Sequence, residues 1–128
     1  IDSYVSAHDN TISFASMGQL NYLSALQFMD AVVGNSSSGL LEAPSFKIAT
    51  IDIGERQKGR IKADSVISCS PTQESISSAF YKSYSEDFQN IVDNTKNPYG
   101  SGGASKIVVD IIKGFDLNGI LKKTFYDL

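Results

Sequence analysis

The stretch "AVVGNSSSGLLEAPSFKIATIDIG", residues 31–54, decides the predicted fold. Its apolar run at 31–34 is typical of a buried strand in a parallel sheet. A short helix is predicted from about 38 to 43, because Pro44 disfavours helical backbone at the residue before it and lacks an N–H group. Alternating apolar residues at 49–54 predict a second strand. A strand, a helix and a strand in succession indicate a parallel sheet with a helical crossover.

The same alternation continues on both sides of this stretch. Further strands are predicted at 11–15 and 65–69, and helices at 1–8, 19–31, 71–85, 86–95, 104–115 and 116–128. Thr72 is the predicted N-cap of the helix at 71–85. The pattern predicts the α/β class, a three-layer Rossmann-like domain with a parallel sheet between helices. A helical bundle is the alternative, which we disfavour because the apolar runs are short and β-branched.

Length and composition limit the kinds of function that this chain can have. At 128 residues the chain has the size of one domain, and its net charge of -3 disfavours a general binder of nucleic acid or of anionic membranes. No apolar run approaches the roughly 20 residues of a membrane span, and the first residues lack a secretory signal pattern. Cys69 is the only cysteine and there is no Cys/His cluster, so we expect a cytoplasmic protein without a disulfide, a metal ion or another cofactor. The first residue is Ile1 rather than Met, which suggests a piece of a longer chain.

Small polar residues, Asn35 to Gly39, lie between the first predicted strand and the short helix. In an open parallel sheet, ligands bind beyond the carboxyl ends of the strands, where N–H groups at a helix N-terminus are unpaired and carry partial positive charge. A phosphate group suits that position, because serine hydroxyls add donors and Gly39 has no Cβ to crowd the ligand. The alternative is that Asn35 or Ser36 only caps the helix.

Charged residues near this loop favour a nucleotide. Glu42 follows one turn later, where a carboxylate can accept two hydrogen bonds from a ribose diol. Arg56, Lys58 and Arg60 follow the next strand and can bind phosphate. Each has a simpler alternative: Glu42 can offset the helix dipole, and the basic residues can form an ordinary solvated loop. The sequence lacks the glycine motifs of Walker and dinucleotide-binding loops.

Other polar residues are weaker candidates for a functional role. His8, the only histidine, is expected at a solvated helix end rather than as a catalytic base. Asp52 and Glu55 lie at the end of the second strand and are expected to be solvated in a loop. Cys69 closes a strand and is expected to be an inert thiol.

Five segments together resemble the C-terminal part of hydrolysing UDP-N-acetylglucosamine 2-epimerases. They are "MGQLNYLSAL" (17–26), "VVGNSSSGLLEAPSFK" (32–47), "IGERQKGRIKADSVI" (53–67), "KNPYGSGGAS" (96–105) and "LKKTFYDL" (121–128). The resemblance covers nearly the whole chain, and the order and spacing of the segments make it specific. It implies that residues 1–128 are the C-terminal, UDP-binding half of a two-domain enzyme with GT-B architecture, whose N-terminal catalytic half is absent.

The resemblance also implies roles for single residues. Ser36–Ser37 matches the pair of serines that binds the diphosphate, and Glu42 matches the glutamate that binds the ribose. Arg56 matches an arginine that contacts UDP. Met17 matches a position that contacts the uracil through its backbone, and Tyr22 matches an aromatic position near the base. With Gly39 and Arg60 from the loop chemistry, the predicted UDP-binding set is Met17, Tyr22, Ser36, Ser37, Gly39, Glu42, Arg56 and Arg60.

The implied reaction converts UDP-N-acetylglucosamine, or a related diacetamido sugar nucleotide, into UDP and N-acetylmannosamine or its analogue, in sialic or nonulosonic acid biosynthesis. A base removes the C2 proton, UDP is eliminated to leave a glycal, and hydration inverts C2. The family's acid/base carboxylates lie in the N-terminal half. Residues 1–128 alone are therefore expected to be inactive and to need that half as a partner, within a homo-oligomer. Two alternatives stay open: the nucleotide-binding half of a GT-B glycosyltransferase, and a non-catalytic nucleotide-binding module.

Overall fold

The computed structural model describes residues 1–122 and residue 125 as an α/β fold with a three-stranded sheet. The strands are β1 (Ala31–Gly34), β2 (Ala49–Ile53) and β3 (Val66–Cys69). The helices are α1 (Asp2–Ala7), α2 (Gly18–Leu26), α3 (Ser38–Leu41), α4 (Gln73–Ser83), α5 (Glu86–Asn94) and α6 (Ala104–Gly114), and a 3₁₀ helix covers Ala43–Phe46. The predicted α/β class is confirmed.

The three strands pair in parallel, as the sequence predicted, and their order is β1-β2-β3. Ala31 lies opposite Ala49 in the first ladder, and Ile51 lies opposite Ile67 in the second. β2 is the central strand, and its first four residues are buried. Because the strands are parallel, they end at the same edge of the sheet, so the loops that follow β1 and β2 are neighbours.

Helices cover both faces of the sheet, and two apolar clusters form the core. One cluster packs α4 and α5 against β2 and β3; its buried members are Ala49, Ile51, Ile67, Ala79, Phe88 and Val92. The other packs α2 and the 3₁₀ helix on the opposite face; its buried members are Leu26, Ala43 and Ile48. Since alternate residues of a strand face opposite sides, Thr50 and Asp52 of β2 lie on the same face as α2.

Side-chain caps begin both helices of the first cluster. The side chain of Thr72 accepts a hydrogen bond from the N–H of Ser75, which confirms the predicted N-cap, and α4 begins at Gln73. The side chain of Ser85 caps α5 in the same way by accepting from the N–H of Phe88. Each cap provides an acceptor for an N–H group that has no partner within its helix.

Two predictions before β2 are wrong in detail. Residues 11–15 form no strand, and the side chains of Ile12 and Phe14 are exposed. Alternating residues do not make a strand without a hydrogen-bonded neighbour, and the described sheet contains only β1, β2 and β3. Pro44 does not end the short helix, because α3 already ends at Leu41; the proline lies in the first turn of the 3₁₀ helix, where its missing N–H costs little.

The segment after α5 leaves apolar side chains uncovered. No residue of α6 is buried, and its exposed apolar side chains are Ile107, Val108, Val109, Ile111 and Ile112. Residues 116–122 form no helix, contrary to the predicted helix 116–128, and residues 118–121 form a turn. Residues 123, 124 and 126–128 of that predicted helix lie outside the described residues. Within the described part of the chain, no helix has the length and apolar character needed to cross a membrane.

Candidate nucleotide-binding site

The loop after β1 carries the predicted phosphate-binding residues. Gly34 ends the strand with a φ of 144°, which glycine adopts readily, and turns the chain into the loop. Ser37 occupies the N-cap position of α3, and its hydroxyl makes no capping hydrogen bond. Among residues 1–122 and 125, we find no acceptor for the N–H groups of Ser37 and Gly39; Ser37 is half-buried and the more accessible of the two to an anion, whereas Gly39 is buried. α3 has only four residues, so its dipole is small and these donors matter more.

The other hydroxyl groups of the loop are held by neighbours. Oγ of Ser36 accepts a hydrogen bond from the N–H of Ser38 at 3.3 Å. The Ser36 side chain therefore accepts a hydrogen bond from an N–H group of the first turn, as the capping alternative predicted. The N-cap residue itself is Ser37. The hydroxyls of Tyr22 and Ser38 hydrogen-bond to each other, which joins α2 to the first turn of α3.

Gly39 is buried against β2, and this contact corrects the reason predicted for a glycine there. A Cβ at position 39 would lie 2.6 Å from Cγ2 of Thr50, closer than two carbon atoms can approach. Thr50 is itself buried, and its hydroxyl donates to the carbonyl of Gly39 at 2.8 Å. The missing Cβ makes room for the strand rather than for a ligand, and binding of the diphosphate by the N–H of Gly39 stays a prediction.

An open cavity of about 410 Å³ lies between the start of α2 and the end of α3. It is lined by Met17, Tyr22 and Glu42 of the predicted set, together with Ser16, Gly18 and Gln19. Tyr22 and Glu42 are half-buried. Glu42 follows the last residue of α3, so its carboxylate does not offset the positive end of that helix. An aromatic ring beside a carboxylate can hold a planar base and a diol. The Tyr22–Ser38 contact connects this cavity to residues 35–39, which we call the serine loop.

The loop after β2 folds back onto the serine loop through Asn35. Nη1 of Arg56 donates to Oδ1 of Asn35 at 3.3 Å. Nε2 of Gln57 donates to the main-chain oxygen of Asn35 at 2.7 Å. The structure thus brings Arg56 next to the predicted diphosphate site, although the two segments lie 21 positions apart in the sequence.

Two other basic residues of this loop, Lys58 and Arg60, make no side-chain hydrogen bond to the serine loop in the described residues. Nζ of Lys58 pairs with Oε2 of Glu55 at 2.7 Å, and both side chains are exposed, as expected for a solvated loop. Arg60 is exposed, and its N–H donates to the carbonyl of Gln57. In the described residues we find no contact between the Arg60 side chain and the serine loop, so its predicted role in UDP binding stays a prediction.

Asp52 is buried, so the prediction that it is solvated is wrong. Only 1% of its side chain is exposed, and its Oδ2 accepts from Nζ of Lys62 at 2.7 Å. Lys62 also donates to the hydroxyl of Ser68 at 2.6 Å. The alternation of β2 places Asp52 on the face opposite Ile51, which is covered as well, and Lys62 offsets the cost of burying the carboxylate. Burial raises the pKa of the nearby Cys69 thiol, and the charge of Asp52 raises it further, which fits an inert thiol.

Other features of the chain lie apart from this site. A cavity of about 570 Å³ adjoins β3 and α4, and one of about 720 Å³ lies between the 3₁₀ helix and residues 95–102. None of the predicted UDP-binding residues lines either cavity. His8 directly follows α1 and is exposed, as predicted for a residue at a solvated helix end. Its ring stacks on that of Tyr4, with 4.0 Å between the ring centroids.

Sequence reasoning missed Gln57 altogether, and it considered Asn35 only as a small loop residue or a helix cap and not as a residue that joins the two loops. Gln57 is 2% exposed although it lies between the exposed residues Arg56 and Lys58, and Asn35 accepts hydrogen bonds from both Arg56 and Gln57. A polar residue in a charged loop gives no sign of burial in the sequence. Its partner is a main-chain oxygen of a distant segment, which only the fold brings near.

The chain matches known proteins over most of its length. Residues 1–113 match the family model described as UDP-N-acetylglucosamine 2-epimerase. "Polysialic acid biosynthesis protein P7" of Escherichia coli is 40% identical over 109 residues, which are 84% of this chain and 28% of that protein. "GDP/UDP-N,N'-diacetylbacillosamine 2-epimerase (hydrolyzing)" of Campylobacter jejuni is 40% identical over 116 residues, 90% of this chain and 30% of that protein. The chain thus spans about 30% of the length of these relatives. By this match the chain belongs to the UDP-N-acetylglucosamine 2-epimerase family.

Proposed function

We propose that this chain is the UDP-binding part of a hydrolysing 2-epimerase. Its substrate is UDP-N-acetylglucosamine or a related diacetamido sugar nucleotide, and its products are UDP and the free 2-epimeric sugar. The names of the relatives support this class of substrate, since one of them is described as a hydrolyzing 2-epimerase of diacetylbacillosamine nucleotides. The free sugar is used for sialic or nonulosonic acid biosynthesis in the cytoplasm.

The observation that carries the proposal is the convergence of three segments on one side of the sheet edge. The serine loop provides unpaired N–H groups, the cavity beside Tyr22 and Glu42 adjoins it, and Arg56 reaches it from the loop after β2. In this arrangement Ser36–Ser37 and Arg56 bind the diphosphate. Tyr22 packs near the uracil and Glu42 accepts from the ribose hydroxyls.

The chemistry of the reaction divides between this part and the rest of the protein. Removal of the C2 proton requires a positioned base, which we assign to carboxylates outside residues 1–128. Departure of UDP leaves negative charge on the diphosphate, and N–H donors with a guanidinium stabilise that charge as it develops. This part therefore acts on the leaving group, and residues 1–128 by themselves are inactive.

An N-terminal half completes the cleft and is the main protein partner, within a homo-oligomer. Two observations support such a partner. The chain spans about 30% of the length of its relatives, and α6 exposes a row of apolar side chains that only another surface can cover.

Incubation of the full-length protein with UDP-N-acetylglucosamine, without any acceptor, tests the proposal. We expect free N-acetylmannosamine and UDP, or the corresponding products from a diacetamido substrate. A glycosyltransferase needs an acceptor, so both sugar nucleotides recovered unchanged would overturn the epimerase assignment, and a C2-inverted sugar still attached to UDP would overturn its hydrolysing character. Arg56→Ala should abolish most of the activity. Lys58→Ala is the matched control, because its partner is Glu55 and it is outside the predicted set.

A further inference from the structure

Gln57 is a buried residue in an otherwise exposed loop. Its side chain is 2% exposed, while Arg56 and Lys58 on either side are exposed. Its Nε2 donates to the main-chain oxygen of Asn35 at 2.7 Å. A buried amide held at this distance fixes the separation of the two loops, since losing the bond leaves a buried donor without a partner.

Asn35 is held by the same loop a second time. Its Oδ1 accepts from Nη1 of Arg56 at 3.3 Å, so neighbouring residues of one loop bind the main chain and the side chain of one residue. Asn35 directly precedes Ser36–Ser37, the predicted diphosphate-binding pair. One N–H donor of the Arg56 guanidinium bonds to Asn35. The other N–H donors of this positively charged group can bind an anion at the serine loop.

We propose that Gln57 is a positioning residue that holds Arg56 against the diphosphate of the sugar nucleotide; this inference rests on the proposed function. A free arginine on an exposed loop loses much side-chain and loop freedom when it binds a ligand. The Gln57–Asn35 bond restricts that freedom before UDP arrives. Arg56 then binds the diphosphate without ordering the loop, and the nucleoside does not depend on the bond.

The test compares UDP with uridine, because only UDP has the diphosphate that Arg56 binds. Gln57→Met in the full-length protein keeps the volume of the side chain and removes the donor. We expect UDP to bind about tenfold more weakly, by calorimetric titration, and uridine to bind unchanged. Gln89→Met is the matched control, because Gln89 in α5 also donates to a main-chain oxygen, that of Ser83, at 2.5 Å.

A double variant separates positioning from a general loss of structure. In an Arg56→Ala background, Gln57→Met should cause no further loss of UDP affinity, because no arginine is left to position.

Three results would overturn the inference: unchanged UDP affinity in Gln57→Met, an equal loss for uridine, or a full additional loss in the Arg56→Ala background. A wild-type protein that binds neither UDP nor uridine would instead count against the proposed function.

Discussion

Gly39→Ala tests whether this glycine is required by the packing of α3 on β2. The new Cβ would lie 2.6 Å from Cγ2 of Thr50, whereas carbon atoms in contact lie roughly 3.5–4.0 Å apart. Thr50 has little room to move, because it is 3% exposed and its hydroxyl is bonded to the carbonyl of Gly39. Overpacking of this kind costs about 1–3 kcal/mol. Alanine favours a helix over glycine by up to about 1 kcal/mol, so we expect a net loss of about 1–2 kcal/mol.

Urea unfolding followed by circular dichroism measures this loss, and two further variants identify its cause. Gly114→Ala is the matched control, because Gly114 also lies in a helix but a Cβ there would meet no described atom outside its own stretch of helix within 4 Å, so stability should be unchanged or slightly higher. Thr50→Ser removes Cγ2 and keeps the hydroxyl. In that background Gly39→Ala should cost little, since the next contacts, at 3.4 and 3.6 Å, are ordinary.

The result that would refute the packing argument is a Gly39→Ala protein with unchanged stability. An equal loss of stability with and without Cγ2 of Thr50 would refute it as well. A selective loss of UDP affinity with unchanged stability would show instead that the glycine makes room for the ligand.

Three other predictions concern separate residues. Lys62→Met should lower the free energy of unfolding in urea by about 3–5 kcal/mol, because it leaves the buried carboxylate of Asp52 unpaired; a loss near zero would contradict the burial of this ion pair. Ser37→Ala should weaken UDP binding by about 1–2 kcal/mol in calorimetry, with little change in stability because the hydroxyl caps nothing; an unchanged dissociation constant would argue against the serine loop as the diphosphate site. Alkylation of Cys69 by iodoacetamide should reach half its maximal rate above the ordinary thiol pKa, because burial and Asp52 both disfavour the thiolate; a midpoint below about 8.5 would contradict that environment.

The strands were predictable because each is a short apolar or alternating run, although only β2 is largely buried: β1 has no buried residue and its Val33 is exposed. The predicted strands at 31–34, 49–54 and 65–69 match β1, β2 and β3 to within one residue at either end. The same pattern at 11–15 predicted a strand that does not form. Whether a segment becomes a strand depends on a neighbouring strand that can hydrogen-bond to it, and the local sequence does not show whether such a neighbour is present.

The contacts that shape the candidate site could not be predicted, because each joins residues far apart in the chain. Gly39 meets Thr50 only because α3 crosses β2, and Gln57 meets Asn35 only because neighbouring parallel strands end together. Asp52 is a different case: alternation places it on the sheet face opposite Ile51 and Ile53, and a sheet between helices has both faces covered, so that position can be buried. The charge suggested solvent instead, and the partner that permits burial, Lys62, lies ten positions further on.

A helix of one turn cannot by itself hold a phosphate, since so few aligned peptide units make a weak dipole and short helices are unstable alone. The serine loop has to gain its shape from neighbours instead. Tyr22 holds its far end through Ser38, Thr50 holds the carbonyl of Gly39, and the loop after β2 holds Asn35 at the near end. Each contact comes from a different element, so the free N–H groups between them are fixed before a ligand binds. In the proposed reaction, donors fixed in this way need no reorganisation when charge develops on the departing diphosphate, which is the condition for stabilising it.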